Sequence, residues 1–99
     1  MLTIDMKASN PSEVIKFLLD SSIFTGMDFM LAQPREDNKL DIYLSNKAEN
    51  VEIKIIGVFT KDAEGIAAVC ELMKIAGFRT STINQISSMT EIEKFGVIK

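Results

Sequence analysis

Histidine and tryptophan are missing from this 99-residue chain, and cysteine occurs once, at Cys70. Without histidine the chain lacks the commonest general base and the commonest zinc ligand. A single thiol excludes an intramolecular disulfide, which makes a cytoplasmic setting the expectation. With no imidazole to activate it, Cys70 is expected to be a buried, inert thiol. No apolar run approaches the roughly 20 residues that a membrane-spanning helix needs. The N-terminus alternates polar and apolar residues, so no secretory leader is expected either. A basic excess is absent too: 11 Lys and Arg stand against 14 Asp and Glu, a net charge of −3. That balance disfavours a broad nucleic-acid footprint.

What is present is the length and composition of a folded chain, 46% apolar and 25% charged, which predicts one domain over residues 1–99, α+β by its order of strands and helices. Leu2, Ile4 and Met6 alternate with polar residues as in a half-buried strand. Asn10, Pro11 and Glu13 read as an N-cap, first position and capping-box partner of a helix carrying Val14, Phe17 and Leu18. Met27 to Gln33 reads as a strand stopped by Pro34. Leu40, Ile42 and Leu44 mark the next strand, and Val51, Ile53 and Ile55 the one after.

Thr60 is read as the cap of a second helix, whose apolar stripe is Ile66, Val69, Cys70, Met73 and Ala76. Gly77 suits a left-handed C-cap with Phe78 folding back on the helix. Thr80 to Ser88 is read as a last strand, and residues 89–99 yield no firm assignment beyond an edge position for Phe95, Val97 and Ile98. The expected fold is a two-layer antiparallel sheet in the order β-α-β-β-β-α-β, with both helices on one face.

Alternation then divides the sheet. Met27, Phe29 and Leu31 are assigned with the other strands' apolar positions to the helix-covered face. Asp5, Asp28, Met30, Asp41, Tyr43, Glu52, Lys54, Ile56 and Val58 are assigned to the open face. Its four carboxylates lack calcium-loop spacing, so neither a metal nor a cofactor is expected. Acid–base pairs from Asp5, Asp28 and Asp41 would make a small-molecule or enzyme site, but no nucleophile or phosphate loop accompanies them. Gly57 has no glycine partners for a phosphate cradle and is read as a tight strand-to-helix turn.

Residues 24–78 resemble one repeat of the TATA-binding protein family. The likeness is carried by Phe24-Thr25-Gly26-Met27-Asp28-Phe29, Gln33-Pro34-Arg35, Asp41 to Lys47, Ile55-Ile56-Gly57 and Ala76-Gly77-Phe78-Arg79. It implies a saddle of two such units, here a homodimer, whose underside enters the DNA minor groove. On that likeness Phe24 and Tyr43 match base wedges, Ile56 and Val58 lie on the underside, and Arg35 and Lys47 lie near phosphates. Between Phe24 and Phe59, however, four basic residues meet six acidic ones, a local net of −2 that opposes phosphate binding. The expectation is therefore a non-catalytic interaction or regulatory domain, homodimeric through its sheet or bound to another protein. Its interaction face comprises Met30, Tyr43, Lys54, Ile56, Val58, Phe24, Arg35 and Lys47. DNA binding by that face is the alternative, and no membrane partner is expected.

Overall fold

A computed structural model describes residues 2–21 and 26–99. These form five strands and three helices, an α+β arrangement: β1 (Leu2–Met6), α1 (Pro11–Leu19), β2 (Phe29–Pro34), β3 (Lys39–Asn46), β4 (Val51–Thr60), α2 (Ala63–Ala76), α3 (Thr80–Ser87) and β5 (Phe95–Ile98). The sheet order is β1-β4-β3-β2-β5. It is a mixed sheet, which corrects the purely antiparallel expectation: β1 runs parallel to β4 while every other pair is antiparallel. The reason lies in the connections. Crossing through α1 returns the chain to the end where β1 began, so β2 runs the same way as β1. Two hairpins then reverse direction twice, and β4 comes back parallel to β1.

The first helix starts as its sequence predicts. Asn10 Oδ1 accepts from the Glu13 amide at 3.1 Å. Glu13 returns to Ser9 rather than to the cap itself, accepting from its amide at 3.0 Å and its hydroxyl at 2.8 Å. Those bonds hold the Glu13 carboxyl below its usual range. Val14 and Leu18 are buried, but Phe17, read as part of the same stripe, is 53% exposed.

The cap of α2 is Asp62, not Thr60. Asp62 Oδ1 accepts from the Gly65 amide at 3.1 Å, and Thr60 supports it by donating its hydroxyl at 2.7 Å. At the other end Gly77 takes φ +82°. The Phe78 amide then bonds Met73 O at 3.0 Å and the Gly77 amide bonds Lys74 O at 3.1 Å, a Schellman closure that leaves Phe78 buried.

Thr80 to Ser87 is a helix, where the sequence suggested a strand. Ile83 and Ile86, three residues apart, are both buried, and this spacing prevails over the low intrinsic preference of the Ser and Thr residues around them. Cys70 packs where α2 meets α3, with its Sγ 3.8 Å from Ile83 O, and burial pushes the thiol up from its usual pKa. The last strand is β5 instead, antiparallel to β2 at the sheet edge.

One core joins the helices to a single face of the sheet, through Ile42, Leu44, Ile53 and Ile55 below and Val14, Leu18, Val69, Leu72 and Met73 above. Met27 and Met73 are fully buried, so these methionines are core filling. Leu2, at the edge, is 57% exposed although its register with Val51 puts it on the helix side.

Two predictions follow from the α2 start. A Cβ on Gly65 would collide with Thr60 O, a backbone atom that cannot give way. Gly65→Ala should therefore cost about 3 kcal/mol or more in urea unfolding, while Gly96→Ala, with ordinary contacts, should cost less than about 1. Asp62 titrates below its ordinary carboxyl value, chiefly through the Thr60 hydroxyl and then the Gly65 amide. A carboxyl depressed in the folded state stabilises above its unfolded pKa, and that stability is lost as pH falls through the folded value. Asp62→Ala should lower the Tm at pH 7, with the difference from wild type shrinking in acid, as thermal melts across pH 2–7 would read.

Candidate functional site: the open face of the sheet

Opposite the helices the sheet carries no layer of its own among the described residues. The registers place its open-face residues in rows. Phe29, Ser45 and Glu52 are paired neighbours in one row, with Ile98 beyond Phe29 on β5. Leu31, Tyr43 and Lys54 form the next, flanked by Gly96 and Asp5. Gln33, Asp41 and Ile56 form the third.

This corrects the reading of β2. Met30 and Ala32 are fully buried and pair with the core residues Leu44 and Ile42, while Phe29 and Leu31 are half-buried on the open side. Met30 is thus a core residue and leaves the candidate face. The apolar positions of 27–32 occupy both parities, so alternation alone could not orient the strand. Met27, just before it, is buried as well, which breaks the phase between the loop and the strand.

Val58 is only 9% exposed and joins the core cluster, while still bordering the depression beside Tyr43, Lys54 and Ile56. A shift of register between β3 and β4 lies at this point. Asp41 pairs with Ile56, yet Lys39 pairs with Thr60, so β4 carries two extra residues at Gly57 and Val58. Gly57 sits at φ +70°, which a side chain would strain, and it makes a bulge within β4 rather than a turn into the helix. Past the bulge Phe59 is fully buried.

Tyr43, Lys54 and Ile56 stand where the sequence placed them, on the open face, with Ile56 45% exposed. Arg35 lies over the bulge: a Cβ on Gly57 would come within 2.8 Å of its Nη1. Its guanidinium bridges Asp37 at 3.1 Å and Asp41 at 3.3 Å. Lys47 sits at the opposite end of the face, where its amide donates to Asp28 Oδ2 at 3.3 Å. The Phe24 expectation falls outside the described residues.

The centre of the face is apolar. Phe29 and Leu31 lean over Gly96, whose Cβ position lies 3.4 and 3.7 Å from their side-chain carbons. Tyr43 flanks them on β3, and Ile98, 78% exposed, flanks them on β5. Phe29 escapes a reading by alternation for the reason given for β2, and Ile98 because residues 89–99 carry no firm strand pattern. Around this centre stand charges of both signs, including Glu52 and Lys54, whose side chains approach to 3.8 Å.

Two shallow depressions flank Tyr43. One runs over Phe29, Leu31 and Glu52, and the other lies beside Asp5, Met6 and Ile56. The four carboxylates do not converge. Among the described residues no three Asp, Glu or Cys side chains are placed to hold a common metal ion.

No protein-family model, no curated protein and no solved structure matches this chain.

The parity of β2 has a direct check. Met30→Ala should cost about 2–5 kcal/mol in denaturant unfolding, because it opens a cavity beneath the helices. Leu31→Ala, on the half-exposed side, should cost less than about 1.5 kcal/mol. The reverse ranking would put Leu31 in the core.

Proposed function

We propose that this protein is a small, non-catalytic interaction domain that associates through the open face of its sheet, in the first instance with a second copy of itself. The observation that carries the reading is the apolar centre of Phe29, Leu31, Tyr43 and Ile98, set on the sheet face that no other described element covers and rimmed by charged residues. An aromatic and aliphatic centre inside a polar rim is how protein interfaces are built. Burial of such a patch is the drive for association.

The TATA-binding-protein likeness enters here as the fold-level part of the proposal, since it also puts the working surface on the open side of the sheet. The likeness rests on the segment up to Phe78, because the chain beyond it forms α3 and β5 rather than a single strand. The DNA-binding form of that likeness finds less support. Arg35, one of two cations it would spend on phosphates, is held between Asp37 and Asp41. Acidic Asp5, Asp41 and Glu52 also share the face.

Sedimentation equilibrium of the wild type and of Leu31→Glu tests the proposal. The wild type should associate as its concentration rises, and the variant should remain monomeric with little change in its melt. A wild type that stays monomeric, or a variant that associates equally well, overturns the reading. Salt-dependent binding of an A·T-rich duplex by a monomer would replace it with the DNA-binding alternative.

A further inference from the structure

The rows of the open face have a property that becomes visible when the sheet is turned onto itself. Consider a two-fold axis lying across the strands, midway between the Phe29–Ser45–Glu52 row and the Leu31–Tyr43–Lys54 row. Along each strand it exchanges residues whose numbers have a fixed sum. On β2 it sets Phe29 of one copy over Leu31 of the other. On β5 it sets Ile98 over Gly96, the position with least side-chain relief. On β4 it sets Glu52 over Lys54. Continued past the end of β3 into the turn that follows, it brings Asp41 toward Lys47, which lines the same depression as Phe29, Ser45 and Ile98.

Phe29 therefore meets Leu31 and Ile98 meets Gly96, Tyr43 lies over Ser45, and opposite charges meet in symmetric pairs. The Arg35–Asp37–Asp41 group carries one net negative charge, two carboxylates against one guanidinium, and it comes to the Lys47 end. Neighbouring arrangements do worse. An axis placed on the Leu31 row opposes Lys54 to its own copy. An axis along the strands lays the charged β1–β4 side over the apolar β2–β5 side. The first brings like charges together and the second buries charged groups against apolar ones, and both are disfavoured in an interface.

We infer that the open face is the contact of an isologous dimer in which Glu52 of each copy faces Lys54 of the other, with Asp41 facing Lys47 at the two ends. Sheets packed face to face cross at about 30°, a rotation that keeps facing rows within reach of long side chains near the axis. The inference rests on the association reading above and adds the axis and the residues that set it.

Charge reversal and its repair separate the two. Dimer Kd values would be measured by sedimentation equilibrium at low salt for the wild type, Glu52→Lys, the exchange Glu52→Lys with Lys54→Glu, and Leu31→Glu as comparator. Glu52→Lys sets lysine against lysine twice per dimer and should raise Kd about tenfold or more. The exchange restores both pairs, within each strand and between copies, and should return Kd to within about threefold of the wild type. If Leu31→Glu dissociates the dimer but Glu52→Lys leaves Kd unchanged, or the exchange fails to restore it, this axis is wrong while the face remains the contact. If Leu31→Glu leaves the dimer intact, the face reading itself falls, and the axis with it.

Discussion

The packing of α2 across β4 is the constraint on which the rest of the structure depends. Ile53 and Ile55 are buried beneath it, and Ile66, Val69 and Met73 cover them from the helix. That contact fixes which side of β4 faces inward, and through its registers with β1 and β3 it fixes the faces of both neighbours. A slip of one residue would turn Glu52 and Lys54 into the core, where unpaired charge is prohibitively costly. The two ends of α2 are held independently, by Asp62 at the start and by Gly77 at the finish. The Thr60–Asp62 corner is also tied across the molecule. Lys61 donates its amide to Asn38 O at 3.2 Å, and Ile92 donates to Lys61 O at 2.8 Å, so the β2–β3 turn and the approach to β5 both close on this point.

The same constraint produces the open face as a by-product. All three helices contribute to one core, on the side that β4 selects. What remains on the other side is whatever the inward pattern leaves over. On β1 and β4 that remainder is largely charged, as a solvated face would be. On β2, β3 and β5 it includes Phe29, Leu31, Tyr43 and Ile98 beside the polar Gln33, Asp41 and Ser45. A strand with apolar residues at both parities is the mark of a strand covered on both sides. β2 is such a strand, and the described residues cover only one of its sides. The bulge at Gly57 adds to the asymmetry, since Arg35 lies across the gap there.

Much of this was legible from residue patterns, and the exceptions have identifiable causes. The Asn10-Pro11-Glu13 start of α1, the stripe of α2 and the Gly77-Phe78 stop are local signals, and the chain follows them. The orientation of β2 was not legible, because Met27 to Ala32 offers the core an apolar residue at either parity. Pairing with Leu44 and Ile42 decides between them. The parallel placement of β1 is a matter of topology, with no local signal in Leu2 to Met6. Residues 80–87 were misjudged because serine and threonine are weak helix formers. The three-residue spacing of Ile83 and Ile86 was the available signal. The Gly57 bulge has no signature beyond the glycine itself, and it belongs to a register that only the folded sheet defines.

Association through the open face, as proposed, would bury Phe29, Leu31, Tyr43 and Ile98. Methyl and aromatic NMR spectra recorded along a dilution series test this directly, because each side chain reports its own surroundings. The signals of Leu31, Ile56 and Ile98 and the Tyr43 ring should move together as concentration rises, while those of Ile83 and Ile86 beneath α3 stay fixed. Spectra that do not change with concentration, or changes confined to the helical side, would contradict it.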